Sequence, residues 1–427
     1  MRVLWIVNIN MPKIAAKLHL QTGAAGGWLH DLCDKIGSND SIELSVASVY
    51  SGNEFVSEVV EGVRYYLLPG GSKKMMFYDK GLGRFWRIIE EQFSPDIVHI
   101  HGTEYTHSIS YIRQFPNKTY LLTIQGIITK ISKESYGDLG YSKALLNRTW
   151  KENIKLNGMI ENKWLLSKNT KYEREIIQTV KYATGRTFWD RAVMKELNPD
   201  LEYYRCNYNL RQAFYSSPKW NINQISRYKI ITGAALTPLK GLDVLVRAIS
   251  IVRNKYPDVK LIVPGGVAEH GKLKVQSGYT KYVMNLTQKL GVEECIEFVG
   301  KIGAESVVKN LLDAHVCVVP SAMEGASATL CEAMYLGVPS IAAYRGGMTE
   351  LLRDKESGFY YDFPEYSVLA QRIMEIFEND LLAEQFSKQV QADASARHNR
   401  EKNVRDMIEV YKKILEIERV ADKVCLN

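Results

Sequence analysis

The chain has 427 residues, of which 46% are apolar and 24% are charged, and its net charge is +7. This length is enough for two domains with separate cores, and the composition is that of a globular protein rather than a disordered or fibrous one. No apolar stretch approaches the roughly 20 residues of a membrane-spanning helix, and no pair of the six cysteines has CxxC spacing. We therefore expect a cytoplasmic protein with reduced, structural thiols.

Strands and helices alternate along the first half of the chain, which is typical of a parallel sheet covered by helices. The short apolar run at the amino terminus favours a first core strand over a signal peptide. The predicted strands are Val3–Asn8, Ile42–Val49, Val63–Leu68, Ile97–Ile100 and Tyr120–Ile124, with a weaker one near Tyr203. Residues 130–180 are charged and mostly helical in pattern, and we expect them to form an insertion at the mouth of the first domain.

A glycine-rich segment, GAAGG at residues 23–27, lies between the first strand and a helix that begins near Trp28. Backbone N–H groups at such a position can bind a phosphate or another oxygen-rich ligand. The spacing is not GxGxxG, which disfavours an NAD-dependent oxidoreductase. A turn without a ligand remains the alternative.

Two histidines, His99 and His101, end a predicted buried strand in the segment PDIVHIHGTEY. Alternate residues of a strand share a face, so a metal site is one interpretation, but the spacing fixes no third ligand. The interpretation we favour is that His99, His101 and Glu104 contact a bound acceptor. Structural histidines with internal hydrogen bonds are the alternative.

The strand–helix alternation begins again near Tyr228, after a polar segment that contains a proline. We expect domains at 1–215 and 228–400, a linker at 216–227 and a final helical segment at 401–427. The predicted elements are strands Lys229–Thr232, Lys260–Val263, Ile296–Val299, Val316–Val319, Pro339–Ala342 and Phe359–Tyr361, and helices Leu242–Asn254 and Arg400–Val420.

Charged residues stand at two strand ends of the second half. Lys240 precedes the helix that follows the first strand, where a lysine can neutralise a diphosphate or simply face solvent. Glu324 and Glu332 are eight residues apart, the first in a loop after a buried strand and the second in the next helix. Ligands bind beyond the carboxyl ends of parallel strands, and carboxylates there can accept hydrogen bonds from a polyhydroxylated molecule.

Basic residues are mixed with aromatic and apolar ones in two segments, 72–91 and 130–171. This mixture suits an anionic membrane surface, so peripheral membrane contact is one expectation, and a solvated helix face is the other. Nucleic-acid binding is disfavoured because no basic run is dense and no recognition motif is present.

The motif Glu324-GASATLC-Glu332, followed by EAMYLGVPSIAAYRGG and Glu350, resembles the E-x7-E motif of glycosyltransferase family 4. The resemblance covers nearly the whole chain and is strongest over 228–362. It implies the α/β GT-B fold, in which two doubly wound Rossmann-like domains face each other across a cleft and the C-terminal helix packs back toward the first domain.

The resemblance also implies roles for particular residues. Glu324 would bond the donor sugar, Glu332 the nucleotide ribose, and Lys240 the donor diphosphate. Further donor-binding positions would be Gly26 and Gly27 in the first domain, the backbone of Ala326, Ser327 and Ala328, and the segment Phe298, Val299 and Gly300 beside the base.

Two positions depart from the family pattern. Ala235 stands where many members have an arginine, which removes a bidentate donor to the diphosphate. Gln125 stands where many have a histidine, and because glutamine cannot transfer a proton, we expect it to position the substrate.

The resemblance implies a retaining transfer of a hexose-type sugar from a nucleotide sugar, UDP-linked rather than GDP-linked, to a glycan or lipid-linked acceptor. It implies no cofactor and no metal, and a setting in surface-polysaccharide synthesis at the inner face of the membrane. Because of Ala235 and Gln125, a non-catalytic protein that binds nucleotide sugars or glycans is the alternative.

Overall fold

The computed structural model describes residues 1–20, 26–233 and 235–425. Contacts between residues divide the chain into two compact units. The first unit comprises Met1–Ile128, Lys168–Leu210 and Asn399–Asn427, and the second comprises Thr129–Ser167 and Arg211–His398. Residues 23–25 of the predicted glycine-rich loop lie outside the described residues.

The strands are numbered in chain order. They are β1 Arg2–Ile6, β2 Glu43–Tyr50, β3 Val56–Val60, β4 Val63–Pro69, β5 Ile97–His101, β6 Tyr120–Thr123, β7 Tyr182–Gly185, β8 Glu202–Arg205, β9 Lys229–Ile231, β10 Lys260–Pro264, β11 Ala268–Glu269, β12 Lys272–Leu273, β13 Ile296–Gly300, β14 Val316–Val319, β15 Ser340–Ala343 and β16 Phe359–Tyr361.

The helices are numbered in the same way. They are α1 Pro12–Lys17, α2 Gly27–Gly37, α3 Gly71–Met76, α4 Gly83–Phe93, α5 His107–Ile112, α6 Ile128–Glu134, α7 Gly140–Leu146, α8 Trp150–Lys155, α9 Met159–Thr179, α10 Phe188–Leu197, α11 Gln212–Tyr215, α12 Leu242–Lys255, α13 Gly278–Leu290, α14 Ala304–Leu312, α15 Ala328–Leu336, α16 Tyr366–Glu378, α17 Asp380–Arg397 and α18 Arg400–Cys425. None of the described helices is both long and apolar enough to cross a membrane.

The first unit is built on an eight-stranded sheet in the order β3-β4-β2-β1-β5-β6-β7-β8. All neighbouring strands are parallel except β3 and β4, which pair antiparallel. The predicted strands of this half are present, whereas β3 and β7 were not predicted. β3 lies at the sheet edge and is only partly buried, and β7 has four residues, so neither has the apolar pattern that marks a longer strand.

Alternate residues of β1 supply the two cores of this unit. Leu4 and Ile6 face one core, and Val3 and Trp5 face the other, as the period of a strand requires. The C-terminal helix α18 packs on the second core, and Tyr411 is among its fully buried residues. The expected return of this helix to the first domain is therefore confirmed.

The second unit has a six-stranded sheet in the order β13-β10-β9-β14-β15-β16. All of its pairings are parallel, and all six predicted strands of this half are present. A separate antiparallel pair, β11 and β12, was not predicted, because each strand has only two residues. The α/β fold class predicted from the sequence is confirmed in both units.

The helical segment 129–167 groups with the second unit, whereas the sequence analysis placed an insertion at 130–180 in the first domain. Two acidic residues of this segment contact the rest of the second unit. Glu152 accepts hydrogen bonds from the backbone N–H of Gly278 at 2.9 and 3.0 Å, and Asp138 accepts one from Arg247 at 3.1 Å. Hydrophobic periodicity reveals neither contact. The position of the segment along the chain therefore did not show which unit it groups with.

Candidate functional site

The loop after β9 carries Lys240 to the carboxyl edge of the second sheet. A short turn, Pro238–Lys240, ends at Gly241, which has φ +69° and precedes α12. A Cβ atom on Gly241 would lie 1.9 Å from the carbonyl oxygen of Pro320, so only glycine allows this approach. The lysine is thereby held beside the loop that follows β14.

Glu324 lies in that loop and pairs with Lys240. The Lys240 ammonium donates a hydrogen bond to Glu324 Oε1, and the hydroxyl of Ser321 donates to the same oxygen at 3.1 Å. The carboxylate is largely shielded from solvent, while about a third of the lysine side chain is exposed. The pair therefore combines a cation that can reach a ligand with a carboxylate whose direction is set by two donors.

A glycine turn holds the backbone of Glu324. The N–H of Gly347 donates to the carbonyl oxygen of Glu324 at 2.9 Å, and Gly346 has φ +58°. A Cβ atom on Gly346 would approach that carbonyl oxygen to 2.2 Å. The first glycine of the YRGG segment thus has a structural reason, which is close packing against the Glu324 loop.

Helix α15 begins immediately after this loop. Ser327 caps it by accepting a hydrogen bond from the N–H of Leu330, and the first turn contains no acidic residue. Gly233, at the end of β9, lies so close that an added Cβ atom would be 2.4 Å from Thr329 Oγ1. The partial positive charge of this helix start therefore lies next to the loop of Lys240. Ala326, Ser327 and Ala328 stand where the resemblance placed them.

Glu332 is the fifth residue of α15 and is buried. Arg211 donates two hydrogen bonds to it, from Nε to Oε1 at 2.7 Å and from Nη2 to Oε2 at 2.8 Å. Burial raises the pKa of Glu332, and the adjacent Arg211 opposes that rise. This bidentate pair satisfies a carboxylate that would otherwise be costly to bury.

Arg211 was missed by sequence reasoning. It immediately precedes α11 and lies outside any motif, 121 residues from Glu332 in the chain. A buried glutamate in an otherwise apolar helix is the one signal in the sequence that requires a cationic partner, but it does not say which cation supplies it.

The segment predicted to flank the base ends strand β13. Phe298 is buried and Val299 is half-buried, so the phenyl ring belongs to the core and only the end of the strand is open to a ligand. Gly300 has φ +68°, and its carbonyl oxygen accepts a hydrogen bond from Gly265 at 2.7 Å. The position of this segment beside the base stays a prediction, and Val299 has its only partly exposed side chain.

His99 of the first unit is an interior residue. Its Nδ1 is 2.6 Å from the hydroxyl of Tyr411, and its Nε2 is 2.6 Å from Thr123 Oγ1. Because both ring nitrogens are engaged and the residue is fully buried, His99 has no group left for a ligand. The structure corrects the expectation of acceptor contact for His99 in favour of the structural alternative.

His101 is also fully buried, with its ring centroid 3.9 Å from that of His99, so the two share a face as predicted. Within the described part of the chain, neither ring nitrogen of His101 has a hydrogen-bond partner, and burial lowers its pKa to about 3. Burial also excludes it from direct acceptor contact. Among the described residues, no three His, Cys, Asp or Glu side chains are arranged to hold a metal ion.

Glu104 lies where three strands of the first sheet end. It accepts hydrogen bonds from Asn8 Nδ2 at 3.2 Å, after β1, and from the N–H of Gly126 at 2.6 Å, after β6. Burial raises the pKa of Glu104, and hydrogen bonds from backbone N–H groups, that of Gly126 among them, oppose the rise. Gly102, at φ +90°, leaves room for the carboxylate, since an added Cβ atom would lie 2.2 Å from Glu104 Oε2.

Gln125 lies in the loop after β6 and is half-buried, and its backbone carbonyl oxygen accepts a hydrogen bond from Arg186 at 3.3 Å. Gly26 has φ +80° and caps α2, where an added Cβ atom would lie 2.2 Å from Ile9 Cδ1. Gly27 is the first residue of that helix. These residues occupy positions that suit a ligand site in the first unit, and their roles stay predictions.

Comparison with known proteins gives a consistent result. Residues 219–393 match the family described as glycosyl transferases group 1. The D-inositol 3-phosphate glycosyltransferase of Streptomyces avermitilis is 27% identical over 167 residues, which are 38% of this chain and 34% of that protein. The match thus spans about a third of the length of this curated relative.

Solved structures extend the comparison to almost the whole chain. Sucrose-phosphate synthase from Thermosynechococcus elongatus superimposes with a TM-score of 0.74 at 15% identity, covering 98% of this chain and 100% of that one. Anabaena HepE, solved with UDP-glucose, gives a TM-score of 0.66 at 15% identity and covers 97% of this chain and 100% of that one. Residues 219–393 are therefore similar to the glycosyl transferases group 1 family, and the chain has the fold of the GT-B glycosyltransferases.

Proposed function

We propose that this protein is a retaining glycosyltransferase that moves a hexose-type sugar from a nucleotide-sugar donor to a glycan or lipid-linked acceptor. The observation that carries the proposal is the Lys240–Glu324 pair beside the start of α15, with Glu332 one and a half turns into the same helix. These groups lie at the carboxyl edge of a parallel sheet, in the domain that matches the glycosyl transferases group 1 family.

Lys240 would neutralise the donor diphosphate. A lysine ammonium has three N–H donors, of which Glu324 takes one, so two remain for phosphate oxygens. The start of α15 adds partial positive charge in the same place. Groups fixed in this way stabilise the negative charge that develops on the departing nucleoside diphosphate without having to reorganise.

The two glutamates would bind different parts of the donor. Glu324 accepts hydrogen bonds from Lys240 and Ser321 on Oε1, which leaves Oε2 for a sugar hydroxyl. Each oxygen of Glu332 accepts one hydrogen bond from Arg211 and can accept a second, which suits the paired hydroxyls of a ribose. Neither carboxylate moves a proton in this proposal.

The reaction then needs no strong base from the protein. The bond between the anomeric carbon and the phosphate oxygen breaks, and the acceptor oxygen bonds to that carbon on the same face. The departing phosphate oxygen takes the proton of the acceptor hydroxyl. Gln125 and Glu104 would position the acceptor rather than ionise it, and positioning of this kind contributes strongly to rate.

We propose UDP rather than GDP as the nucleotide, supported by the UDP-glucose bound to the fold neighbour HepE. No cofactor or metal enters the proposed reaction, because Lys240 and the helix start supply the positive charge. The setting in surface-polysaccharide synthesis, at the inner face of the membrane, rests on the family resemblance.

A non-catalytic nucleotide-sugar-binding protein is the second candidate, favoured by Ala235. This side chain is buried in the loop before Lys240. Many family members have an arginine at this position. With alanine here, the diphosphate site has one cation fewer.

The deciding experiment measures release of nucleoside diphosphate from UDP-sugars and GDP-sugars, with and without glycolipid acceptors. We expect release by the wild type and a loss of about 100-fold or more in Glu324→Ala, the scale of removing one preorganised transition-state contact. Glu305→Ala, at an exposed position of the same unit, is the matched control and should keep full activity.

Three outcomes would contradict the proposal or a part of it. Wild-type rates in a folded Glu324→Ala protein would remove Glu324 from the site. Thermal stabilisation by UDP without release from any sugar would favour the non-catalytic candidate. Inversion of the anomeric configuration, read by NMR of the product, would overturn the retaining mechanism alone.

A further inference from the structure

Seven large apolar side chains are exposed within one short segment of the second unit, residues 141–164. Seventeen such side chains are exposed in the described part of the chain, so this segment contains a disproportionate share of them. The members of this group, here named the apolar platform, are Tyr141, Leu145, Leu146, Trp150, Ile154, Leu156 and Trp164. Clustering of this kind marks an interaction surface, whereas singly scattered apolar residues do not.

Helix geometry directs part of the platform away from the protein. Trp150 and Ile154 are one turn apart on α8, so they share a face. Glu152 lies between them, roughly 160° around the helix axis, and is buried against the backbone N–H of Gly278. Because Glu152 faces the second unit, Trp150 and Ile154, exposed to 67% and 72%, face outward.

The platform is held in place rather than loosely attached. Glu152 accepts from Gly278 and from the N–H of Thr149 at 2.8 Å, which also closes a capping box at the start of α8. Arg148 donates to Glu161 at 2.7 Å, and Asp138 accepts from Arg247 at 3.1 Å. Exposed apolar residues on such an anchored support are available to a partner without prior ordering.

The exposed charges around the apolar platform are positive. Lys143, Lys151 and Lys155 are exposed on α7 and α8. The two acidic residues between 139 and 164 are Glu152 and Glu161, and both accept hydrogen bonds from within the unit. The surface therefore presents lysines and aromatic residues together, without exposed carboxylates between them, which matches an anionic lipid surface.

We propose that the apolar platform docks this protein on the surface of an anionic membrane, with Trp150, Leu146 and Ile154 entering the interface and Lys143, Lys151 and Lys155 contacting lipid headgroups. Long lysine side chains can keep their charge at the headgroups while their stems cover apolar surface. The inference goes beyond sugar transfer, because membrane docking requires no nucleotide sugar and can be measured without one.

The test is co-sedimentation of the full chain with vesicles of phosphatidylcholine, with or without phosphatidylglycerol. We expect binding to the anionic vesicles and little binding to the neutral ones. The double variant Trp150→Ser with Ile154→Ser should lose binding to the anionic vesicles. Phe188→Ser is the matched control, because Phe188 is also 67% exposed but lies outside the platform, and it should bind as the wild type does.

The basic residues give a second, independent arm. Lys151→Gln with Lys155→Gln should weaken binding roughly 30-fold at low salt, as expected for two lysines at an anionic surface. Lys301→Gln with Lys309→Gln, two exposed lysines elsewhere in the second unit, should have little effect.

Three outcomes overturn the proposal: no binding of the wild type to either vesicle, equal loss in the Phe188→Ser control, or a dimer in solution that the Trp150→Ser, Ile154→Ser variant alone abolishes. The last result would make a second copy of this chain the occupant. None of these outcomes bears on release of nucleoside diphosphate, so the docking surface and the proposed transferase activity can fail separately.

Discussion

Both units have polar residues at the ends of parallel strands, but the partners of these residues differ between the two units. At the edge of the second unit, Glu324 and Glu332 are each paired with a cation, Lys240 and Arg211. In the first unit, the strand end of β5 carries two buried histidines, His99 and His101, that contact tyrosine, threonine and tryptophan instead of charges. Unused hydrogen-bonding capacity therefore does not by itself identify a ligand contact at a strand end, because His101 is fully buried.

The sharpest way to break this comparison is to remove the cation from the buried pair. Arg211→Leu should lower the free energy of unfolding by about 3–5 kcal/mol, because Glu332 would be left buried and unpaired. Denaturant unfolding followed by tryptophan fluorescence measures the change. Arg211→Leu combined with Glu332→Leu should recover most of the loss, since no charge then remains buried, and equal loss in the double variant would show that the ion pair is not the cause.

The more exposed pair should respond in activity instead of stability. Lys240→Met should reduce kcat/KM for the nucleotide sugar about 100-fold while leaving the unfolding midpoint nearly unchanged, because the lysine is partly solvated. Steady-state kinetics in a cycle with Glu324→Gln measures the coupling. Strictly additive effects would show that the two residues act separately on the donor, contrary to their contact.

In the first unit, the corresponding group to remove by substitution is the hydroxyl of Tyr411. It accepts a hydrogen bond from Trp5 Nε1 at 2.9 Å and contacts His99. Tyr411→Phe should cost about 1–3 kcal/mol of stability, because a buried N–H loses its acceptor. Thermal unfolding provides the measurement, and we expect kcat to stay at the wild-type value, since the structure makes this network internal. A selective loss of kcat would instead indicate that the His99 region contacts a ligand.

A further expected effect is the acid response of the buried histidines. Burial lowers the pKa of His101 to about 3 and that of His107 to about 4, below the ordinary value near 6.5. The folded state then binds fewer protons than the unfolded state between these values, so stability is complete above about pH 6.5 and falls as the pH drops. The slope is at most about 1.4 kcal/mol per pH unit for each histidine.

Unfolding free energies measured between pH 7 and pH 4 test this sign. His101→Leu should flatten the slope by one histidine, and His270→Gln, at an exposed position, should leave it unchanged. Stability that rises on acidification in this range would contradict the interior placement of His101.

The sequence predicted the second sheet well because its strands are short apolar runs between clear turns. Glu324, Glu332 and Lys240 were proposed as site residues from the E-x7-E spacing and the LKG turn, which are local features. Arg211 was not found, because a pairing across 121 residues depends on tertiary packing.

The errors in the first unit have a related cause. An HxH pattern predicts a shared face but not whether that face is open, and the hydroxyl that occupies His99 comes from Tyr411, 312 residues away. The segment 129–167 likewise contacts the second unit through Glu152 and Asp138, whose partners are more than 100 residues away in the chain. Hydrophobic periodicity does not reveal which charged residues pair with residues far away in the chain.

The close packing of Gly346 and Gly347 on the carbonyl of Glu324 has a consequence for protein engineering. A loop grafted from a homologous protein at residues 320–327 would meet a turn shaped for a different backbone unless residues 344–347 were transplanted with it. The two segments therefore have to be exchanged together, although 16 residues separate their ends in the chain.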